Sequence, residues 1–467
     1  MERLSIQDAS FIYLENEYNH MSIAALAIFE GPAPAEGELE QMISSRLDLV
    51  PRFRQRLRFV PLDLGRPVWC DDPHFTLRYH IRHTALPTPG ADEQLQLMVG
   101  RLMSQQLDRT RPLWEIWVVE GLSAENWGML LKLHHCVADG VAATDLLGIL
   151  LDKKRKPPKR KPRPWIPEPQ PSLYQLSASA MTEHLTSPRK AFHAARSAME
   201  APREAARKLR DFLDGLNSFR DSTKHDAESS LNGPVGPHRN WRWHSASLPE
   251  IKRIRSTHGG TINDVVLAVI TRGFRALLQS RGEPVDNYVV RSLVPVSVRR
   301  EDEHSQVNNR VSAMLAELPV GIEDPLQNLA AISAQMSEHK EHHQAVAGEI
   351  LSSLSGLAPP ALVAMGSHLF AGMEQHAVQT VTTNVPGPKQ ALYAVGRKML
   401  TAFLYVPIAG SVRIGVAMFS YEDTLTFAVT GDYDHAPDTD VLCKGIEAGI
   451  AELSKEREKQ AGDRACV

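Results

Sequence analysis

Long apolar runs are scarce in this chain. No window approaches 18 uncharged apolar residues, and the best, Ala361 to Met373, is short and broken by Ser367 and His368. A membrane-spanning helix needs about 20 such residues, so none is expected. The opening, Met1-Glu-Arg-Leu-Ser-Ile-Gln-Asp8, has acids where a secretory signal needs an apolar core, so no signal peptide is expected. Cysteine is also rare. Cys70, Cys136, Cys443 and Cys466 lie far apart and form no CxxC pair, which speaks against a zinc site or a disulfide framework and fits a reducing compartment. Neither sign of charge is in excess: 52 Lys and Arg against 55 Asp and Glu leave a net charge of −3, which argues against a global nucleic-acid binder. No GxSxG supports a serine elbow, and no HExxH supplies a metal-ligand helix.

The chain has 43% hydrophobic and 23% charged residues, enough for a sizeable core. Its 467 residues fit two units of roughly 200. The first runs from Met1 to about Asp152. Met21 to Phe29 reads as a buried strand, and Glu38 to Val50 has helical spacing. Glu115 to Val119 and Met129 to His135 read as strands, and Gly140 to Leu151 as a helix. A connector, 153–238, follows. Lys153 to Arg163 carries eight Lys or Arg residues and three prolines, with no acid. Two readings stand: a solvated linker held open by self-repulsion, or a segment drawn to anionic lipid headgroups. Pro188 to Leu216 is Arg-rich and helical in spacing.

The second unit spans about 239–460. Trp241 to Ser247, Tyr288 to Val298 and Val311 to Leu318 read as strands. Thr261 to Gln279 keeps a 3.6-residue apolar period. Val412 to Phe419 and Thr424 to Thr430 read as a hairpin around Glu422-Asp423, and Asp438 to Glu456 as a closing helix. Strands and helices alternate in both halves, which predicts an α/β or α+β fold in two comparable lobes.

The segment richest in chemistry is Leu133-His134-His135-Cys136-Val137-Ala138-Asp139-Gly140. Side chains alternate along a strand, so His134 shares a face with Leu130 and Lys132, and His135 with Leu131 and Leu133. One imidazole can enter a cleft while its neighbour packs elsewhere. A neutral imidazole can take a proton from a hydroxyl, as acyl transfer to an alcohol requires. Asp139 can hold the loop, and Gly140 permits a tight approach to the helix. Adjacent strand histidines diverge, which disfavours a metal site, and Cys136 lacks the spacing of a nucleophile beside its base. A His-His pair alone is usually structural, as His342-His343 illustrates, and that second pair receives no role.

HHxxxDG is the hallmark of acyltransferases built like chloramphenicol acetyltransferase. Five further blocks occur in the order of one branch: Leu4 to Asp8 with Met21 and Phe29 to Pro32; Pro51 to Leu57; Pro112-Leu113-Trp114; Asn263-Asp264; and Asn384 to Pro388 with Leu392-Tyr393. Over nearly its full length the chain resembles the bacterial wax ester synthase/diacylglycerol acyltransferase family. The resemblance implies two chloramphenicol-acetyltransferase-like lobes, each a mixed β-sheet with flanking helices, and an active site in a tunnel between them. It implies His135 as general base and Asp139 as a structural aspartate turned away from substrate. It also implies acyl-CoA as co-substrate, with no further cofactor or metal, and a lipid alcohol as acceptor; the alternatives are a carrier-protein thioester as donor, or a non-catalytic lipid-surface protein with the same fold. A cytoplasmic protein meeting a membrane or lipid droplet from the side is then expected. Nothing in the sequence fixes the oligomeric state.

Asn263-Asp264 keeps two readings. With Thr261 as N-cap, Asp264 completes a capping box, which explains it without function. Asn263 then lies in the first helical turn, where a carboxamide can donate to an oxyanion. Pro112-Leu113-Trp114 reads as packing or tunnel wall. Asn384 to Pro388 reads as a tight turn supporting the cleft. Leu351 to Phe370 reads as core helix, with acyl tunnel or membrane contact as alternatives.

Overall fold

The structure is a computed structural model, and it describes residues 2–61, 64–138, 140–158, 160–185, 229–297, 311–341 and 377–465. Pro188 to Leu216, His342-His343 and Leu351 to Phe370 lie outside the described residues, as does Asp139. In chain order the strands are β1 (Glu2–Arg3), β2 (Ser22–Phe29), β3 (Gln55–Arg58), β4 (Val68–Asp71), β5 (Ile81–Ala85), β6 (Trp114–Glu120), β7 (Trp127–His134), β8 (Arg239–Ser247), β9 (Val290–Ser297), β10 (Val311–Leu318), β11 (Thr380–Pro386), β12 (Tyr393–Ala394), β13 (Arg397–Tyr405), β14 (Ile414–Tyr421) and β15 (Thr424–Asp432). The helices are α1 (Ile6–Leu14), α2 (Glu38–Ser44), α3 (Leu77–His80), α4 (Asp92–Met103), α5 (Gly140–Leu150), α6 (Leu173–Leu185), α7 (Leu248–His258), α8 (Ile262–Ser280), α9 (Pro325–Glu341) and α10 (Thr439–Ala465).

Two six-stranded sheets form the lobes. The first has the order β12-β13-β2-β7-β6-β5 and the second β10-β9-β11-β14-β15-β8. Each is mixed, with β5 parallel to β6 in the first and β11 parallel to both β9 and β14 in the second. This is the two-lobed α/β architecture expected. The lobes are not contiguous in sequence, however. The reading above places 239–460 in the second lobe, yet β12 and β13 join the first sheet, with Tyr405 opposite Ala24 and Met399 opposite Phe29.

β2 and β7 are buried on both faces because both are nearly all apolar. Ala25, Ala27, Leu131 and Leu133 join one cluster, while Ala24, Leu26, Leu130 and Phe403 join another on the opposite face. Lys132 is the charged exception. Its ammonium donates to the Leu102 carbonyl at 2.9 Å and to the Gln105 carbonyl, so the buried charge binds the end of α4. In the second lobe α8 is buried almost all round between the sheet and α10. Each fully buried Val, Ile or Phe there contributes about 2 kcal/mol.

Three expectations need correction. The helix expected over Glu38 to Val50 ends at Ser44, and short 3-10 turns follow at Leu47–Leu49 and Pro51–Arg54. Pro51 disfavours helical geometry at Val50. Asn384 to Pro386 are the last residues of β11, and the chain leaves the strand only at Gly387. Residues preceding proline favour extended backbone, and Pro386 ends the strand. The basic run is exposed but is not simply a self-repelling linker: Arg155 pairs with Glu30, and Arg160 and Arg163 reach Asp48 at 2.6 and 3.2 Å.

Pro112-Leu113-Trp114 serves packing. The Trp114 indole donates to the Phe53 carbonyl at 2.9 Å and stacks on Phe53 and His80, with centroids 4.3 and 4.4 Å away. His80 Nδ1 donates to the Trp114 carbonyl at 2.8 Å, and burial pushes this imidazole down to about 4. The fold therefore favours neutral His80. That contribution is complete above pH 6.5 and is lost as pH falls from 6.5 through 4, up to about 3 kcal/mol. Urea midpoints taken across this window should fall more steeply for the wild type than for His80→Gln. Parallel slopes would refute the assignment.

Candidate active site

The HHxxxDG segment begins where β7 ends. Ser22 of β2 stands opposite His134, and the pairing runs one residue further, because the His135 N–H donates to the Met21 carbonyl at 2.8 Å. The strand then breaks into a turn that His134 itself holds. His134 Nδ1 accepts the Cys136 N–H at 3.1 Å, and its carbonyl accepts the Val137 N–H at 2.9 Å. An accepting Nδ1 puts the ring proton on Nε2. His134 is fully buried, whereas His135 lies past the strand and is half-buried. The two histidines therefore differ in burial and in partners.

Side chains of α1 and one arginine surround this pair. Ser5 caps α1, its Oγ accepting the Asp8 N–H at 3.0 Å, which accounts for Ser5 and Asp8 in the opening block. The Phe11 ring stacks on His135. Glu15 Oε2 sits 3.6 Å from His134 Nε2, longer than a hydrogen bond, and accepts from Arg109 Nη2 and Nε at 2.7 and 3.0 Å. Burial alone would raise the Glu15 carboxyl, but His134 and Arg109 outweigh it and bring it down to about 2. The sequence reading missed Phe11, Glu15 and Arg109. The available signal was the i,i+4 spacing of Phe11 and Glu15, between Asp8 and Met21 of the opening block.

Cys136 is fully buried, and burial, reinforced by the charges of Asp8 and Glu15, raises its thiol well above the usual range. It is a poor candidate for a nucleophile. Among the described residues, no group of three or more His, Cys, Asp or Glu side chains could hold a metal ion.

The second lobe brings its own motifs to this region. α5, which starts at Gly140, packs on β11, and Val137 and Ala138 share a buried cluster with Val385 and Phe419. β11 carries Asn384, whose Nδ2 donates to Asn263 Oδ1 at 3.3 Å. Two sequence blocks more than a hundred residues apart therefore meet. The capping box is present as expected: Thr261 Oγ1 accepts the Asp264 N–H at 3.2 Å, and Asp264 Oδ2 accepts the Thr261 N–H at 2.8 Å. Asp264 is thereby explained as a cap. Asn263, half-buried in the same turn and bonded through its oxygen, retains amide hydrogens to donate.

Solved structures share this architecture. The chain resembles a wax ester synthase/diacylglycerol acyltransferase from Marinobacter aquaeolei, with a TM-score of 0.70 and 24% identity over 98% of this chain and all of that one. It also resembles the trichothecene 15-O-acetyltransferase TRI3 of Fusarium sporotrichioides, with a TM-score of 0.63 and 13% identity over 97% and 94% of the two chains. These likenesses show the two-lobed fold.

Sequence comparison names the branch. The pattern of the wax ester synthase/diacylglycerol acyltransferase catalytic domain matches residues 4–266, and that of the WS/DGAT C-terminal domain matches 307–454. A Mycobacterium tuberculosis protein named probable diacylglycerol O-acyltransferase tgs1 is 38% identical over 456 residues, 97% of this chain and 96% of its own length. The chain belongs to the wax ester synthase/diacylglycerol acyltransferase family and is an O-acyltransferase.

The two readings of Asn263-Asp264 separate experimentally. Thr261→Ala removes the cap and should cost about 1 kcal/mol in urea unfolding with little change in kcat. Asn263→Ala should leave the urea midpoint nearly unchanged and lower kcat about a hundredfold. Equal kcat in the Asn263→Ala protein would reduce that residue to packing.

Proposed function

We propose that the protein transfers a long-chain fatty acyl group from acyl-CoA to the free hydroxyl of diacylglycerol, giving triacylglycerol, with His135 as general base. The observation that carries this is the half-buried imidazole at the end of β7, beside a fully buried partner whose nitrogen is engaged by backbone. The 38% relative named for diacylglycerol acylation favours that acceptor, and the family name also covers long-chain alcohols.

In this mechanism His135 Nε2 takes the hydroxyl proton as the oxygen attacks the thioester carbonyl. The oxyanion of the tetrahedral intermediate receives a hydrogen bond from the Asn263 carboxamide, worth about 3 kcal/mol. Collapse breaks the C–S bond, and the departing CoA thiolate takes the proton back from His135. Both substrates are bound at once, and no acyl-enzyme forms. The family resemblance assigns Asp139, outside the described residues, a structural role, and α5 begins at Gly140.

The protein meets lipid from the side in this reading. No helix among the described residues is long and apolar enough to cross a membrane. Ile166, Leu173 and Tyr174, in the connector and at the start of α6, are 87%, 60% and 82% exposed and offer apolar side chains to a lipid surface. Lys153, Lys154, Lys156 and Lys161 are exposed nearby in sequence, each adding about 1 kcal/mol at an anionic surface.

Free-thiol release from palmitoyl-CoA, with diacylglycerol and hexadecanol offered separately, tests the reaction. Release should depend on acceptor and fall at least a thousandfold in His135→Ala. Equal release from that variant would end the proposal. For the surface, flotation with phosphatidylglycerol-containing vesicles should weaken in Ile166→Ser/Tyr174→Ser and again at high salt. Unchanged flotation in both conditions would place the contact elsewhere.

A further inference from the structure

α1 turns two side chains toward the histidine pair, one helical turn apart. Residues four apart share a helix face, so Phe11 and Glu15 address neighbouring targets. The Phe11 ring lies against the His135 imidazole with centroids 4.1 Å apart and planes 27° apart. Glu15, the C-cap, divides its carboxylate between two tasks. Oε2 faces Arg109 and His134, while Oε1 accepts the Met21 N–H at 3.2 Å. The other side of that residue matters as much, because the Met21 carbonyl accepts the His135 N–H at 2.8 Å. Glu15 therefore meets His134 through its side chain and His135 through the main chain of Met21.

The geometry points to α1 as the positioning element of the active site, with Phe11 setting the ring plane of His135 and Glu15 anchoring the turn that carries both histidines. The inference rests on His135 being the base. Neither residue exchanges a proton with substrate.

The physical case concerns rotation. An imidazole on a turn residue can swing about χ1 and χ2, and a base works only within about 3 Å of the proton it takes. A stacked ring resists that swing, since turning the imidazole out of plane forfeits the ring contact. Misplacement by about 1 Å can cost a hundredfold in rate. Arg109 completes the device. Its two bonds to Glu15 Oε2 keep a buried carboxylate paired, and a third, to the Ile12 carbonyl at 3.1 Å, fastens the same guanidinium to α1.

The experiment compares Phe11→Leu, Phe11→Tyr, Glu15→Gln and His135→Ala in the full chain, reading kcat, KM for palmitoyl-CoA and Tm. Phe11→Leu should lose about tenfold in kcat, with KM within about twofold and Tm within about 3 °C. Phe11→Tyr, which restores a ring face, should return kcat to within about threefold of wild type. Glu15→Gln should show the same split, with lower kcat and unchanged KM. Wild-type kcat in Phe11→Leu overturns the inference, as does a Phe11→Tyr protein no better than Phe11→Leu, or losses of kcat that merely follow Tm. If those results come with an inactive His135→Ala protein, the inference fails and the assignment of the base stands. If His135→Ala is fully active, the assignment of the base fails and the inference falls with it.

Discussion

Two strands from opposite ends of the chain, β2 and β13, lie side by side in one register, and the arrangement of the site depends on that pairing. β2 carries β13 on one side and β7, with His134 at its end, on the other. A slip of one residue would turn every side chain of β2 to the wrong face, which the two buried clusters forbid. β13 also packs on β14 and β15, where Thr426 Oγ1 donates to the Ala402 carbonyl at 2.8 Å. The strand is thus at once an element of the first sheet and a rivet to the second. It holds the histidine turn of one lobe in fixed relation to the Asn263 and Asn384 pair of the other.

Much of this was legible locally, and what was not has a common cause. α8 was readable down to its capping box, because period, cap and N3 acid all lie within a few residues of one another. β13 was not read. A register shift between Met399 and Thr401 blurs its alternation, and its partner lies more than 370 residues upstream. The basic run was read as a solvated linker or a lipid-facing segment, and its ion pairs were missed because Glu30 and Asp48 precede it by more than a hundred residues. Asn384 was read into a turn because two prolines nearby outweighed the parallel ladder supplied by β14. Local rules found local structure, and they failed where a distant segment supplied the missing partner.

The site shows the same division. Its sequence signature marks the two histidines but not the groups around them. His134 has an interior task, its ring nitrogen and carbonyl both occupied by the turn. Glu15 and Arg109, its neighbours, come from before and well after β2, and only folding brings them together. Buried charge is costly, yet each of these groups is paired, and the same holds for Lys132 on its two carbonyls. A polar network this enclosed is best satisfied in one geometry, which gives a turn beyond a strand end a rigidity it would otherwise lack.

The crossover of β13 also has a consequence for the order of events at the ribosome. The family patterns divide the chain into stretches at 4–266 and 307–454, which suggests two units that mature in turn. The first sheet does not obey that division. Until residues 393–405 have emerged, β2 is an edge strand, nearly all apolar, with its hydrogen-bonding groups toward β13 unmatched. Such an edge invites pairing with other chains, and long-range strand pairing is slow to form. The nascent N-terminal half must therefore wait, shielded, for a strand from near the other end of its own chain.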